Sequence, residues 1–187
     1  MNTMNGVNEP QFFVKSKGCW TGLHGEDCLL SSFNINLGPD NSEWTIIPFE
    51  AHEKITDLIL CPKVLVLNQP LYHFWQHFFF PAAILKEHGI PHVVVTQKPG
   101  EAVFVSGQAL HQVRNLDYGV NVAWNLAPLT TQTIRDLMTG FDLEVTHPSK
   151  RPIIPVLRAV HLVLARHFPL FGLEDLKLMG VFLLRHL

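Results

Sequence analysis

The stretch Ala102-Val103-Phe104-Val105-Ser106-Gly107-Gln108-Ala109-Leu110-His111-Gln112-Val113-Arg114-Asn115-Leu116-Asp117-Tyr118-Gly119-Val120-Asn121-Val122-Ala123-Trp124-Asn125 decides the fold. It holds three short apolar runs, Ala102 to Ser106, Gln108 to Asn115 and Val120 to Asn125. Gly107 and Asp117-Tyr118-Gly119 separate them, so the stretch reads as antiparallel strands joined by tight turns. Working outward, Ile90 to Thr96 is a β-branched strand, and Lys98-Pro99-Gly100-Glu101 turns the chain. Gln11 to Lys15, Cys28 to Leu37 and Glu43 to Pro48 read as further strands, with Gly38-Pro39-Asp40-Asn41-Ser42 as a strong turn. Phe49 to Ile59 has helical apolar spacing, and Tyr72 to Gly89 reads as one or two helices. Strands this short, this evenly spaced and divided by Gly/Pro turns predict a sandwich or a barrel, such as a double-sheet jelly roll.

After Pro128 the texture changes. Thr130-Thr131 caps a helix running to about Gly140, and apolar stripes over Pro155 to His167 and Leu173 to Leu187 predict two more helices. These stripes read as core or docking faces. The expected organisation is a disordered leader (1–9), a β core (10–129) and a C-terminal helical segment (130–187).

Composition bounds the function. The chain of 187 residues is 47% hydrophobic, enough for one domain with a real core. A formal charge of −2 gives no basic signal for nucleic acid, though a local acidic groove could take a basic peptide. Cys19, Cys28 and Cys61 show no C-x-x-C spacing and cannot all pair, which fits a reducing compartment. Residues 1–12 lack an apolar signal-peptide core. The apolar C-terminal region is cut by His161, Arg166, His167 and Pro169, short of the ~20 apolar residues of a membrane span.

His24-Gly25-Glu26 and the distant His111 make a candidate metal set. Two histidines and one carboxylate form the facial triad of non-haem Fe(II), which leaves coordination positions open. On a strand, residues i and i+2 point to one side, so His24 and Glu26 can grip one ion while His111 arrives from another strand. With 11 histidines and 16 acidic residues, about one such H-x-D/E match arises by chance, so the motif needs its context. His73 and His77 sit at helical spacing but lack the glutamate of H-E-x-x-H and read as an ordinary helix face. Trp20, Trp44 and Trp124 read first as core aromatics that could wall such a site.

The context is collinear over about residues 10 to 167. Pro10-Gln11-Phe12-Phe13-Val14-Lys15, Thr21-Gly22-Leu23-His24-Gly25-Glu26 and Ser32-Phe33-Asn34-Ile35-Asn36-Leu37-Gly38-Pro39 lead into Glu43-Trp44. Gln97-Lys98-Pro99-Gly100-Glu101 and Val122-Ala123-Trp124-Asn125-Leu126-Ala127-Pro128-Leu129-Thr130 follow. This pattern resembles the JmjC domain, and within it the UTX-type demethylases of histone H3 lysine-27. The resemblance implies a mostly β, cupin-like double-stranded β-helix followed by C-terminal helices. It implies Fe(II) on His24, Glu26 and His111, and 2-oxoglutarate held by Lys15, Thr21 and Asn34, with Ser32 nearby. Asn34 stands at even spacing from His24 and Glu26, so on one continuous strand it would face the same interior.

The implied reaction converts 2-oxoglutarate and oxygen to succinate and carbon dioxide while hydroxylating a lysine N-methyl group, which leaves as formaldehyde. The implied setting is nuclear. The implied partners are a methylated histone H3 tail peptide and chromatin complex subunits, with no sequence-specific nucleic acid and no membrane. Two other readings stand beside it: a catalytically silent chromatin scaffold, and a hydroxylase of another protein side chain.

Three positions depart from the subfamily pattern. Phe13 stands where a tyrosine is usual, Gly25 where a glutamine is usual, and Gln112 where an aromatic residue commonly follows the last histidine. The subfamily's zinc module, with its two C-x-x-C pairs, has no counterpart here. The domain's first strands, which belong upstream of residue 10, read as missing.

Overall fold

A computed structural model describes residues 7–60, 78–146 and 154–186. Residues 1–6 of the expected leader, 72–77 of the expected helical run with His73 and His77, and Cys61 lie outside the described residues. The described chain falls into two units. One runs to Glu26 and resumes over Ser31–Leu126; the other joins Asp27–Leu30 to Ala127–Leu187.

The first unit is two four-stranded antiparallel sheets. One sheet has the order β1 (Gln11–Lys15), β8 (Gly119–Leu126), β3 (Ser31–Pro39), β6 (Ala102–Val105). The other has the order β2 (Trp20–His24), β7 (Leu110–Asn115), β4 (Ser42–Ile47), β5 (Val93–Gln97). Every pairing joins strands distant in sequence or on opposite sides of a crossover, which is the jelly-roll pattern expected above.

Alternation along the strands sorts the side chains. Trp44, Ile46 and Val113 of the second sheet meet Val103 and Val105 of the first, with Ala109, in the core between the sheets. The opposite face of the second sheet is apolar as well. Leu23, Ile47 and Leu110 are fully buried against Ile55 and Ile59 of α1 (His52–Leu60) and Leu85 of α2 (Ala82–Glu87). Gln112 lies on that outer face and is also fully buried. Its amide is satisfied by the Phe80 backbone, accepting from N–H at 2.9 Å and donating to C=O at 2.7 Å. On the outer face of the first sheet Phe12, Val14, Leu37 and Phe104 are exposed.

Three local expectations change. The strand expected from Cys28 begins at Ser31, because Asp27–Leu29 forms a 3-10 turn in which Cys28 (φ 49°) and Leu29 (φ 55°) are left-handed. Trp20–His24 is a strand of its own, and Glu26 lies beyond its end. The helix expected to stop near Gly140 continues as α3 (Thr131–Val145), with the Thr130 hydroxyl accepting from Thr133 N–H as its N-cap.

Gly140 is needed inside that helix rather than at its end. A Cβ there would lie 2.5 Å from the Cys28 backbone. That close approach lets Glu144 of α3 accept from Cys28 N–H at 2.8 Å and from its thiol at 3.5 Å. These bonds hold a turn whose left-handed, non-glycine residues cost about 1–3 kcal/mol each. The same unit contains α4 (Val156–Arg166), which buries Val156, Val160 and Val163, and α5 (Leu173–Arg185), which buries Met179 and Phe182.

Gly119 has a similar role in the first unit. A Cβ on it would lie 2.7 Å from both the Gly38 carbonyl oxygen and Lys15 Cε, so the Lys15 stem crosses the sheet where no side chain stands. Gly119→Ala is expected to cost about 1–3 kcal/mol through overpacking against backbone. Urea unfolding measures this; an unchanged midpoint would refute the close approach.

Candidate metal centre

His24 and His111 are direct partners across the β2–β7 ladder. Their ring centroids are 4.1 Å apart. The ladder slips between Thr21 and His24, and this bulge re-aims the end of β2 towards β7. Glu26, two residues past the strand end, turns its carboxylate back to the pair, with Oε1 3.4 Å from His111 Nε2. Strand parity therefore does not bring Glu26 to His24; the loop after β2 does. One ligand-type atom from each of the three residues lies within 4.8 Å of the others. A metal with bonds of about 2.1 Å holds adjacent ligand atoms about 3 Å apart, so a small contraction would let the trio close on one ion.

The hydrogen bonding suits that role. His24 Nδ1 lies 2.9 Å from the Gly22 carbonyl, which can only accept, so the neutral tautomer that this contact favours carries its hydrogen on Nδ1 and turns Nε2 into the ligating nitrogen. Burial, and then the neighbouring His24, hold the His111 pKa well below its usual value; the Ala109 backbone offsets this only in part. His111 is therefore neutral, as a ligating imidazole must be. The Trp44 ring stacks on it, with centroids 5.6 Å apart and an angle of 23°.

Asn125 on β8 completes the trio's surroundings. Its Nδ2 donates to Glu26 Oε2 at 2.8 Å, which leaves Oε1 as the oxygen turned to the histidines. The chain sequence gave no reason to single out Asn125 except its place in the Trp124-Asn125-Leu126-Ala127-Pro128 motif.

The four residues expected around 2-oxoglutarate are dispersed over both sheets. Among the described residues no hydrogen bond joins any two of them. Lys15 is only 4% exposed. Its ammonium donates to Asn36 Oδ1 (2.9 Å), the Asp40 carbonyl (3.0 Å) and Ser42 Oγ (3.1 Å). Burial lowers its pKa from the usual lysine value, with Asp40 opposing the shift. Asn34 faces the interior beside Val103 and accepts through Oδ1 from Asn121 Nδ2 and Gln97 Nε2. It does so from β3, not from a strand continuous with His24, so the even spacing was coincidental. Thr21 lies opposite Val113, on the face that carries His111 and Trp44, and is exposed. Ser32 is buried opposite Asn125. Phe13 shares the Lys15 side of β1 and is 49% exposed. Trp20 is exposed, and Trp124 packs on Phe33, so of the three tryptophans expected as possible walls only Trp44 touches the trio.

Two four-stranded antiparallel sheets are the cupin-like fold that the resemblance to the JmjC domain implies, and this one brings a His-Glu-His cluster together. This chain belongs to the JmjC family: the family described as "JmjC domain, hydroxylase" matches residues 11–126, more than half of the chain. Among curated proteins, it is 31% identical over 131 residues to lysine-specific demethylase 6B of Homo sapiens, covering 69% of this chain and 7% of that protein. It is 28% identical over 122 residues to lysine-specific demethylase jmjd-3.1 of Caenorhabditis elegans, covering 65% of this chain and 11% of that protein. The chain thus spans about a tenth of the length of these relatives. Among the described residues no helix is long and apolar enough to cross a membrane.

Burial also pushes the His52 pKa down to about 4, with the Gln108 backbone and Glu50 opposing. For His52 and His111 the unfolded chain binds protons more readily than the fold does. Their contribution to stability is therefore intact above about pH 6.5 and is lost as pH falls towards the folded values. Thermal unfolding of the metal-free protein should show a midpoint that drops between pH 6.5 and 5, with a shallower drop in His52→Gln. A midpoint flat over that window would contradict the burial of both rings.

Proposed function

We propose that this chain is an Fe(II)- and 2-oxoglutarate-dependent dioxygenase that demethylates lysine in a histone H3 tail, with lysine-27 as the favoured site and the nucleus as its location. The observation that carries the reading is the convergence of His24, Glu26 and His111, each offering a ligand-type atom within 4.8 Å of the others. Membership of the JmjC family and likeness to two lysine-specific demethylases support the reaction class.

Residues 10–129 form the catalytic core in this reading, and 130–187 the helical segment. Bound iron with 2-oxoglutarate and oxygen would supply the oxidation of a lysine N-methyl group, released as formaldehyde. The chain's own residues do the rest. His24 and His111 offer imidazole nitrogens, and Glu26 offers one carboxylate oxygen while Asn125 occupies the other. Asn34 and Thr21 offer an amide and a hydroxyl to the far carboxylate of the cosubstrate, Ser32 lies close by, and Lys15 supplies the positive charge. Trp44 excludes water from one side of His111. A methylated H3 tail peptide is the substrate, and chromatin complex subunits are the expected partners.

One observation favours the silent-scaffold reading. All three Lys15 ammonium hydrogens are already engaged by protein acceptors, so a carboxylate must displace one of them to be bound there. Calorimetry with Mn(II) and N-oxalylglycine separates the readings, because a scaffold would bind neither. Iron-loaded chain is expected to release formaldehyde from an H3 peptide trimethylated at lysine-27, and His111→Ala to abolish the release. A chain that binds both probes yet yields no formaldehyde would remove the substrate claim. Asn125→Ala should weaken Mn(II) binding by about tenfold or more, as loss of an outer partner of a ligand typically does. Unchanged Mn(II) affinity would mean that Glu26 needs no such partner.

A further inference from the structure

A primary amide attracts a carboxylate with its NH2 end and repels it with its oxygen, so the value of Asn34 to an anionic ligand depends on which end it shows. That orientation is fixed by a directional chain of hydrogen bonds that begins on the other sheet. The Trp44 indole N–H can only donate, and it donates to Gln97 Oε1 at 2.9 Å. The other end of Gln97 faces two backbone carbonyls, those of Asn34 and Glu101, each 3.0 Å from Nε2. Carbonyls only accept, so Gln97 has a single workable orientation, with its oxygen turned towards Asn121.

Asn121 must then present its NH2 group. Its Nδ2 lies 3.2 Å from Gln97 Oε1 and 2.6 Å from the near end of Asn34. With an NH2 between them, that near end of Asn34 must be the oxygen. Gln97 Nε2, 3.4 Å from the same atom, agrees. Asn34 Nδ2 is left as the outward end, and among the described residues no protein group accepts from it. Asn121 is only 4% exposed, and it holds this orientation although its own Oδ1 has no hydrogen-bond partner. Turning the Asn121 amide over would set its oxygen against those of Gln97 and Asn34.

We propose that Asn121 is a positioning residue that commits Asn34 to present its NH2 group to the carboxylate of a small dicarboxylic acid bound between the sheets. This rests on the reading of Asn34 as a cosubstrate residue. Trp44 starts the relay and also stacks on His111, so one side chain braces both the candidate metal trio and the candidate anion subsite.

The test is a double-mutant cycle read by calorimetry of N-oxalylglycine binding to the Mn(II)-loaded full chain. Asn121→Leu removes both donors without adding charge and is expected to weaken N-oxalylglycine by about tenfold, the loss typical of one hydrogen bond to a charged group. Mn(II) affinity, measured first without N-oxalylglycine, should stay within about twofold, because Asn121 touches no member of the trio. In an Asn34→Ala background the further loss from Asn121→Leu should vanish, because Asn121 acts through Asn34. If Asn121→Leu does not fold, Asn121→Ala is smaller, uncharged and equally without a donor, and the same cycle applies. Equal losses with and without Asn34, or no loss at all, would overturn the inference while leaving the oxygenase reading intact. A wild-type chain that binds Mn(II) but not N-oxalylglycine would instead overturn the cosubstrate reading, and the role given to Asn121 with it.

Discussion

His24 stands directly across from His111 on the β2–β7 ladder, and the candidate site depends on that register. A slip of one residue would turn the other face of β7 inward, because side chains alternate with period two. The register is specified from both sides. Leu110 and Gln112 must face the outer core, where they are fully buried and where Gln112 matches the Phe80 backbone. His111 and Val113 then face the space between the sheets, beside Trp44 and Ile46. The packing of α1 and α2 on the far side of the sheet thus helps hold the imidazole in place. The bulge before His24 supplies the remaining adjustment.

The interior between the sheets is polar along one side. Lys15, Asn36, Ser42, Gln97 and Asn121 are all buried, and burying such groups without partners would be strongly unfavourable. They are joined instead: Lys15 to Asn36 and Ser42, Asn36 Nδ2 to the Gln97 carbonyl, and Gln97 to Trp44, Asn121 and Asn34. A network in which donors and acceptors alternate has few alternative arrangements, so it fixes orientation as well as position. The apolar remainder, Trp44 with Val103 and Val105, closes the space around it.

Much of this was legible in the chain. Turn chemistry at Gly107, Asp117-Tyr118-Gly119 and Gly38-Pro39 located β3 to β8 within a few residues, because Gly, Pro and Asp mark reversals through local backbone preferences. The Thr130 cap was legible for the same reason. Strand β2 was harder, since Trp20-Thr21-Gly22-Leu23-His24 is short and lacks clean alternation. The turn at Asp27–Leu29 was hidden because Cys28 and Leu29 take left-handed backbone that their types disfavour, held by Glu144 from more than a hundred residues away. Asn125 and Gln97 stood out only as members of family motifs and Asn121 not at all, since an amide in a strand looks the same whether it meets solvent or a buried polar group.

The sequence by itself determined the kinds of group available: two imidazoles, a carboxylate, a lysine and several amides, set among strands whose turns and alternation are written locally. The tertiary structure alone decided which of them meet. Glu26 reaches the histidines by a loop rather than by strand parity, Asn34 comes inward from the other sheet, and the Lys15 ammonium is spent on Asn36, Asp40 and Ser42. Local preference fixes the conformation of a few neighbouring residues. Convergence of side chains depends on strand register and loop path, and these are settled only when distant segments pack against one another.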